Sequence, residues 1–373
     1  MATLNPFTPT RRLIVKIGSA LLIDKESGIR TDWLQCLCDD IAALKADNIE
    51  VVIVSSGAIA IGRQMLRLSS RNLSLSEKQA CAATGQSKLT QAYAEALGVH
   101  NIITAQALFT LNDTENRQRG LNARSTLKTL LALGAVPIIN ENDTVATDEI
   151  RYGDNDRLAA RTAQMLEADT LVLLSDIDGL YTDDPRQNPD AEHIPLIAEL
   201  DANILAMGGG INQSVQLGSG GMATKLLAAQ IAIAAGCHMC VMDGTSLNPL
   251  KRLMQGAKAS WFQAKDNPLN ARRHWIKASL QPLGTIEIDA GAAKALGHGK
   301  SLLAAGITAV SGAFNKGDAV KIVFSGREIA RGLSAYSAAD VKKIQRLKSD
   351  EITTALGYYN GDAVIHRDNM VDM

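Results

Sequence analysis

Gly218, Gly220 and Gly221 stand just ahead of Lys225 in the stretch LGSGGMATKLLAAQIAIAAG, and an apolar helical pattern follows at once. Glycines before a helix let backbone N–H groups approach an anion, and the helix start adds the positive end of its dipole. A fixed ammonium at the same place adds a full charge. The stretch is not a Walker A loop: GxxxxGK[ST] sets the lysine directly after a glycine and before a hydroxyl residue, whereas Lys225 follows Thr224. Lys16, near the end of the apolar run LIVKI, is a second candidate cation, with Gly18 and Ser19 just beyond it. Two lysines on opposing loops suit phosphoryl transfer, which asks for positioned cations over the moving group and little covalent help. The carboxylates of GDND, Asp154 and Asp156, together with Asp143, suit a substrate ammonium. Taken alone, each feature also has an ordinary reading, Lys16 as a solvated strand-end lysine and GDND as an Asx-rich helix cap.

These residues need a scaffold that gathers them. The runs LIVKI, VVIVSS, NIITAQ, AVPIIN, TLVLLSD and HMCVMD are continuous and apolar, as strands buried on both faces of a parallel sheet would be. Helical patterns lie between them over Thr31–Asp47, Ser76–Leu97, Thr114–Leu133, Asp154–Glu167 and Met222–Ala235, with a capping-box pattern at Ser76 and Gln79. The alternation predicts an α/β fold, a doubly wound and mainly parallel sheet sandwich. In such sheets ligands bind beyond the carboxyl ends of the strands. There the chain offers Lys16 to Ser19, Ser55 to Ala58, Asn140 to Asp143, Ser175 to Gly179 and the glycine loop. Turn chemistry explains any one of these and is a poor account of all five. The first domain is expected over residues 10–263. The polar stretch AKDNPLNARRH falls in an expected linker, 264–275. Short strands and glycine turns then predict a small β-rich domain over 276–366.

Composition removes several alternatives. Apolar residues are 46% of the 373 and charged residues 21%, with a net charge of −1, so a core is available and a strongly basic nucleic-acid binder is not indicated. The first residues carry no apolar signal core, and the longest apolar run, Leu226 to Met242, is broken by Gln230, Gly236 and His238. A cytoplasmic protein without a membrane span is expected. No GxGxxG follows a strand, which disfavours a dinucleotide oxidoreductase. The six histidines form no HxH or HExxH, and no GxSxG occurs, so no metal or Ser/His machinery is indicated. A carboxylate acceptor would already be ionised at neutral pH and would need no general base. The five cysteines read as reduced core residues. Cys237 and Cys240 are three apart on a strand and face opposite sides.

The set VKIGSALL, VVIVSSGAIAIGR, PIINENDTVAT, YGDNDRLAA, LLSDIDGLYTDDPR and GSGGMATK resembles the amino acid kinase family, in the branch that phosphorylates glutamate. INEND, GDND and GGMATK together mark that branch among relatives that share only the fold and parts of the glycine loops. The tail, with LGTIEIDAGAAKAL and GDAVIHRDNM, is similar to a PUA domain. The resemblance implies ATP-dependent phosphorylation of the γ-carboxylate of L-glutamate, the first step of proline synthesis, with Mg²⁺ accompanying the nucleotide. It implies feedback inhibition by proline and a homo-oligomer, a dimer or tetramer.

Carried over by position, Lys16 and Lys225 stabilise the transferring group and Asp156 holds them. Ser56, Asp143 and Asn155 match the glutamate-binding positions, with Asn140 and Asp154 nearby. Gly18, Ser175, Asp176 and the loop Ser219, Gly220, Gly221, Met222, Ala223, Thr224 and Lys225 match the nucleotide positions, and GLYTDDPR packs near the adenine. KIGSA and SSGA depart from the Gly-Thr-Ser and Thr-Ser-Gly-Ala more usual in the family, and Ala20 lacks a hydroxyl that would contact phosphate. Two rivals stay open. One is a same-fold kinase for aspartate, N-acetylglutamate or carbamate. The other is an RNA-binding protein acting through the PUA domain, where residues 276–366 hold 11 Lys and Arg against 8 Asp and Glu. VKKIQRLK is the densest basic stretch there and carries no aromatic residue to stack on a base.

Overall fold

A computed structural model describes residues 10–24, 28–68, 72–146, 154–208, 221–271 and 281–373. The chain divides into two units, Met1–Pro268 and Leu269–Met373. The first is built on an eight-stranded sheet. Its strands are β1 (Arg12–Ile17), β2 (Glu50–Ser55), β3 (Thr104–Phe109), β4 (Val136–Glu141), β5 (Thr170–Ser175), β6 (Leu196–Ile197), β7 (His238–Asp243) and β8 (Ala259–Phe262). They lie in the order β6-β8-β7-β5-β1-β2-β4-β3. All neighbours run parallel except β7 and β8.

Alternation along the strands divides the core in two. Leu13, Val15 and Ile17 of β1 face one cluster, with Trp33, Leu37, Val51 and Val172. Ile14 faces the other, with Val52, Leu158, Leu171 and Leu226. Lys16 shares the parity of Ile14, so the pleat sends its side chain to the face that Leu158 covers. That face carries α5 (Asp154–Leu166) and α6 (Met222–Ala234), and the opposite face carries α1 (Thr31–Ala46). The remaining helices used below are α2 (Ala58–Met65), α3 (Leu75–Gly98) and α4 (Arg117–Ala132). No described helix is long and apolar enough to cross a membrane.

Several boundaries differ from the sequence reading. The run NIITAQ is not the strand itself: Asn101 takes a left-handed backbone at φ 57°, and pairing begins only at Thr104. The capping box is at Ser74 and Glu77, not Ser76 and Gln79. Both pairs fit the S-x-x-[EQ] pattern. Glu77 wins because its carboxylate accepts from the Ser74 N–H at 2.9 Å, while the Gln79 amide donates to the Ala146 carbonyl at 3.0 Å. The expected helix 114–133 is two helices. Thr110 caps Leu111–Glu115, and Asn116, extended at ψ 117°, accepts from Arg119 N and starts α4 anew. Strand β8, antiparallel to β7, was not expected.

The second unit holds a five-stranded sheet, β9 (Gly284–Ile288), β10 (Ile307–Gly312), β11 (Ala319–Phe324), β12 (Arg327–Leu333) and β13 (Met370–Asp372), in the order β10-β9-β11-β12-β13. Residue 366 is therefore too early an end for the small domain. Met370 pairs with Gly332 and is buried in the core with Ile286, Ile322 and Val341.

Candidate active site

Lys16, Asp156 and Lys225 meet. Lys16 Nζ is 2.6 Å from Asp156 Oδ1, and Lys225 Nζ is 3.5 Å from Asp156 Oδ2. The three come from the end of β1 and the first turns of α5 and α6. Ala159, Ala160 and Ala163 of α5, with Ala228, Ala229 and Ala232 of α6, are fully buried. Their short side chains let the two helix starts lie close enough for one carboxylate to span both ammonium groups. The trio is buried as well, at 8%, 1% and 4% exposure. Burial pushes the Asp156 carboxyl up, and the charges of Lys16 and Lys225 more than offset that, so it is held below the usual carboxylate range. Thr224 Oγ1 donates to Asp156 Oδ2 at 3.0 Å and fixes the carboxylate further. The trio itself thus sets two ammonium groups on one carboxylate, so an anion placed against these three side chains meets net positive charge.

A second constellation lies one residue away along α5. Asn155 Nδ2 donates to Ser56 Oγ at 2.8 Å, Asn140 Oδ1 at 2.9 Å and the Ser55 carbonyl at 3.2 Å. Ser56, Asn140 and Asn155 are therefore brought together. Asp143 is buried in the turn after β4. The left-handed Gly57, φ 113°, turns the chain from Ser56 into α2, a conformation that favours glycine. Gln86 of α3 accepts from Asn140 Nδ2 at 2.8 Å, and Tyr93 OH lies 2.9 Å from Ser55 Oγ. Neither was foreseen. Both sit on the buried stripe of α3 with Ala82 and Leu89, so a glutamine on an apolar stripe was the available signal.

Around the lysines, Gly18 bridges β1 to β5 through its N–H to the Leu174 carbonyl at 3.3 Å. A Cβ there would meet only that oxygen, at 3.6 Å, and φ is −70°, so the described fold does not demand glycine at this place. Ser175 is buried and its hydroxyl donates to the exposed Asp176 at 3.2 Å. Gly221 starts α6 without any side-chain cap, which leaves first-turn N–H groups to another acceptor. Met222, Ala223 and Thr224 form that turn, and Ala20 is exposed. Ser219, Gly220 and the side chain of Asp154 lie outside the described residues. Tyr181 of GLYTDDPR is held by Asp178 at 2.9 Å and Lys258 at 2.7 Å. Among the described residues no three His, Cys, Asp or Glu side chains form a metal cluster. Burial drives the Cys237 and Cys240 thiols well up, so neither is a ready thiolate.

A mainly parallel sheet whose strand ends gather two lysines across one carboxylate, beside an uncapped helix start, is an arrangement suited to an anionic ligand such as a phosphate. The profile of the amino acid kinase family matches residues 11–243, and that of the PUA domain matches residues 284–356. Glutamate 5-kinase of Agrobacterium fabrum (strain C58) is 54% identical over 370 residues, 99% of this chain and 95% of that protein. Glutamate 5-kinase of Paramagnetospirillum magneticum is 55% identical over 370 residues, 99% of both chains. The chain belongs to the amino acid kinase family and, within it, to the glutamate 5-kinases, with a PUA domain as its second unit.

Proposed function

We propose that the protein transfers the γ-phosphoryl group of ATP to the γ-carboxylate of L-glutamate, giving L-glutamyl 5-phosphate. The observation that carries this reading is the pair of buried lysines held across Asp156. The acceptor carboxylate is ionised at neutral pH and attacks phosphorus without a general base. Lys16 and Lys225 meet the charge that spreads over the phosphoryl oxygens, and Asp156 keeps their ammonium groups at a fixed separation. Gly18, Ser175, Asp176 and the segment Ser219–Lys225 take the nucleotide, with the uncapped start of α6 toward its phosphates and GLYTDDPR toward its adenine. Ser56, Asn140, Asp143, Asp154 and Asn155 take glutamate.

Mg²⁺ neutralises phosphate charge when bound. Asp156 is already committed to Lys16, Lys225 and Thr224, so the described residues fit a metal that arrives on the nucleotide with its waters rather than one held in a protein cage. The same reading places the enzyme in the cytoplasm as a homo-oligomer, at the first step of proline biosynthesis, under inhibition by proline.

A second reading, RNA at the PUA domain, has one observation in its favour. The helix Ala338–Ile344 carries exposed Lys342 and Lys343, and its Asp340 accepts from the hydroxyl of exposed Tyr358 at 2.9 Å. The fold thus supplies beside the basic stretch an aromatic ring that the stretch itself lacks.

The test is incubation with Mg-ATP and L-glutamate in hydroxylamine, with aspartate and N-acetylglutamate in parallel. Hydroxamate with glutamate alone is expected. Hydroxamate with another acid overturns the specificity. None with any acid, from folded protein that binds ATP, moves the weight to RNA, which a salt-dependent shift lost on changing Lys342, Lys343 and Arg346 would then support.

A further inference from the structure

The amides around Asn155 form a chain whose polarity can be read from its ends. A side-chain amide turned through 180° keeps its shape and exchanges donor for acceptor. Its orientation is therefore fixed only by partners that can do one thing. Glu141 N–H can only donate, and it lies 2.9 Å from the Asn140 amide, so the atom it meets is Oδ1. The Ser55 carbonyl can only accept, and it lies 3.2 Å from the Asn155 amide, so the atom it meets is Nδ2. Thr90 Oγ1 gives its one proton to the backbone carbonyl of Gln86 at 3.0 Å. Toward the Gln86 amide, 3.2 Å away, it can then only accept, which turns Nε2 to Thr90 and Oε1 to Asn140 Nδ2. Each amide nitrogen in the series meets at least one acceptor. One atom is left over: Asn155 Oδ1 is buried with no hydrogen-bond partner among the described residues. A buried acceptor in that state is stabilised by a donor, and an amino-acid ammonium brings three.

We infer that Gln86, backed by Thr90, is a positioning residue for the acceptor substrate: it holds the Asn140 and Asn155 amides so that Asn155 Oδ1 is presented to the substrate's ammonium group. This deepens the kinase reading and rests on it. Without Oε1 of Gln86, Asn140 Nδ2 loses its acceptor; Glu141 N–H still fixes which way the amide faces, but the amide is held at one end only, and the Asn155 amide that rests on it is held less firmly. An Asn155 amide that is held less firmly presents Oδ1 to the ammonium less well, and glutamate binding weakens. The Lys16–Asp156–Lys225 trio stands outside this chain of bonds, so the effect belongs to one substrate only.

The experiment measures hydroxamate formation against glutamate and against ATP in Gln86→Met, a change that keeps the length of the side chain and removes the amide. A rise in glutamate KM of about five- to tenfold is expected, with ATP KM and the denaturation midpoint near those of the wild type. An unchanged glutamate KM overturns the inference, and so does a rise shared equally with ATP. Should Gln86→Met not fold, Thr90→Ala decides. Its glutamate KM is expected to rise by about two- to fivefold, while Thr90→Ser stays at the wild-type value. A Thr90→Ala protein that matches wild type overturns the inference. Wild-type protein that makes no hydroxamate with glutamate sinks the kinase reading itself, whatever the variants do.

Discussion

Replacing Asp156 by asparagine would leave Lys16 and Lys225 facing each other across a neutral amide in a buried space. Losing one partner of a buried ion pair costs on the order of 3–5 kcal/mol, so the denaturation midpoint of Asp156→Asn should fall well below that of the wild type at pH 7. The difference should depend on pH with a definite sign. The Asp156 carboxyl is held below its unfolded value, so its contribution is complete above that value, near 3.9, and is lost as pH falls through the lower folded one. Denaturant titrations should show a constant gap between the two proteins from neutrality down to about pH 5, closing below about pH 4. A gap as wide at pH 3 as at neutrality would contradict the ion-pair account. The trio was legible in the sequence through motif resemblance, not through spacing, because its members belong to segments far apart in the chain. The roles of Gln86 and Thr90 were not legible. The place of Gln86 on the apolar stripe of α3 hinted at burial, but nothing in the sequence named its partner Asn140, and the fold shows Gln86 only 8% exposed.

The helix pair α2 and α3 is what delivers Gln86 to Asn140, and two glycines set how closely the pair packs. A Cβ on Gly85 would lie 1.9 Å from the Ala58 carbonyl oxygen and 2.5 Å from Gly62 N, and one on Gly62 would lie 1.8 Å from the Cys81 carbonyl oxygen. The obstructing atoms are backbone, so relief requires the helices to separate. Gly85→Ala is expected to cost about 1–3 kcal/mol, and to raise glutamate KM because Gln86 moves with its helix. Thermal melting and the hydroxamate assay check the two halves, and an alanine variant as stable as the wild type would refute the close crossing. Strands were easier to read than helix ends. Runs such as TLVLLSD are buried on both faces, and Thr170–Ser175 follows almost residue for residue. The helix starts were decided by contacts that sequence does not carry, such as the Ala146 carbonyl that draws Gln79 away from a cap.

At the scale of the whole molecule, every described residue of the lysine trio and of the amide chain belongs to the unit Met1–Pro268. A chain ended after Pro268 is expected to keep glutamate-dependent hydroxamate formation. Loss of that activity from folded protein would assign the PUA domain a part in catalysis that the site geometry does not give it. The order of strands in the large sheet also bears on how the protein comes to exist in a cell. Strand β1 is the first of the sheet to be made and sits inside it, paired with β2 on one side and β5 on the other. The first partner, residues 50–55, follows soon after; the second, residues 170–175, is more than a hundred residues away in the chain. Throughout that interval RLIVKI presents one unpaired apolar edge to whatever the ribosome and the cytosol bring near it. Parallel pairing over so long a separation is slow, and the exposed interval is where a chaperone would act or an aggregate begin. Substitutions that weaken β5 should therefore show first as lost yield of soluble protein, before any change in the turnover of the molecules that do mature.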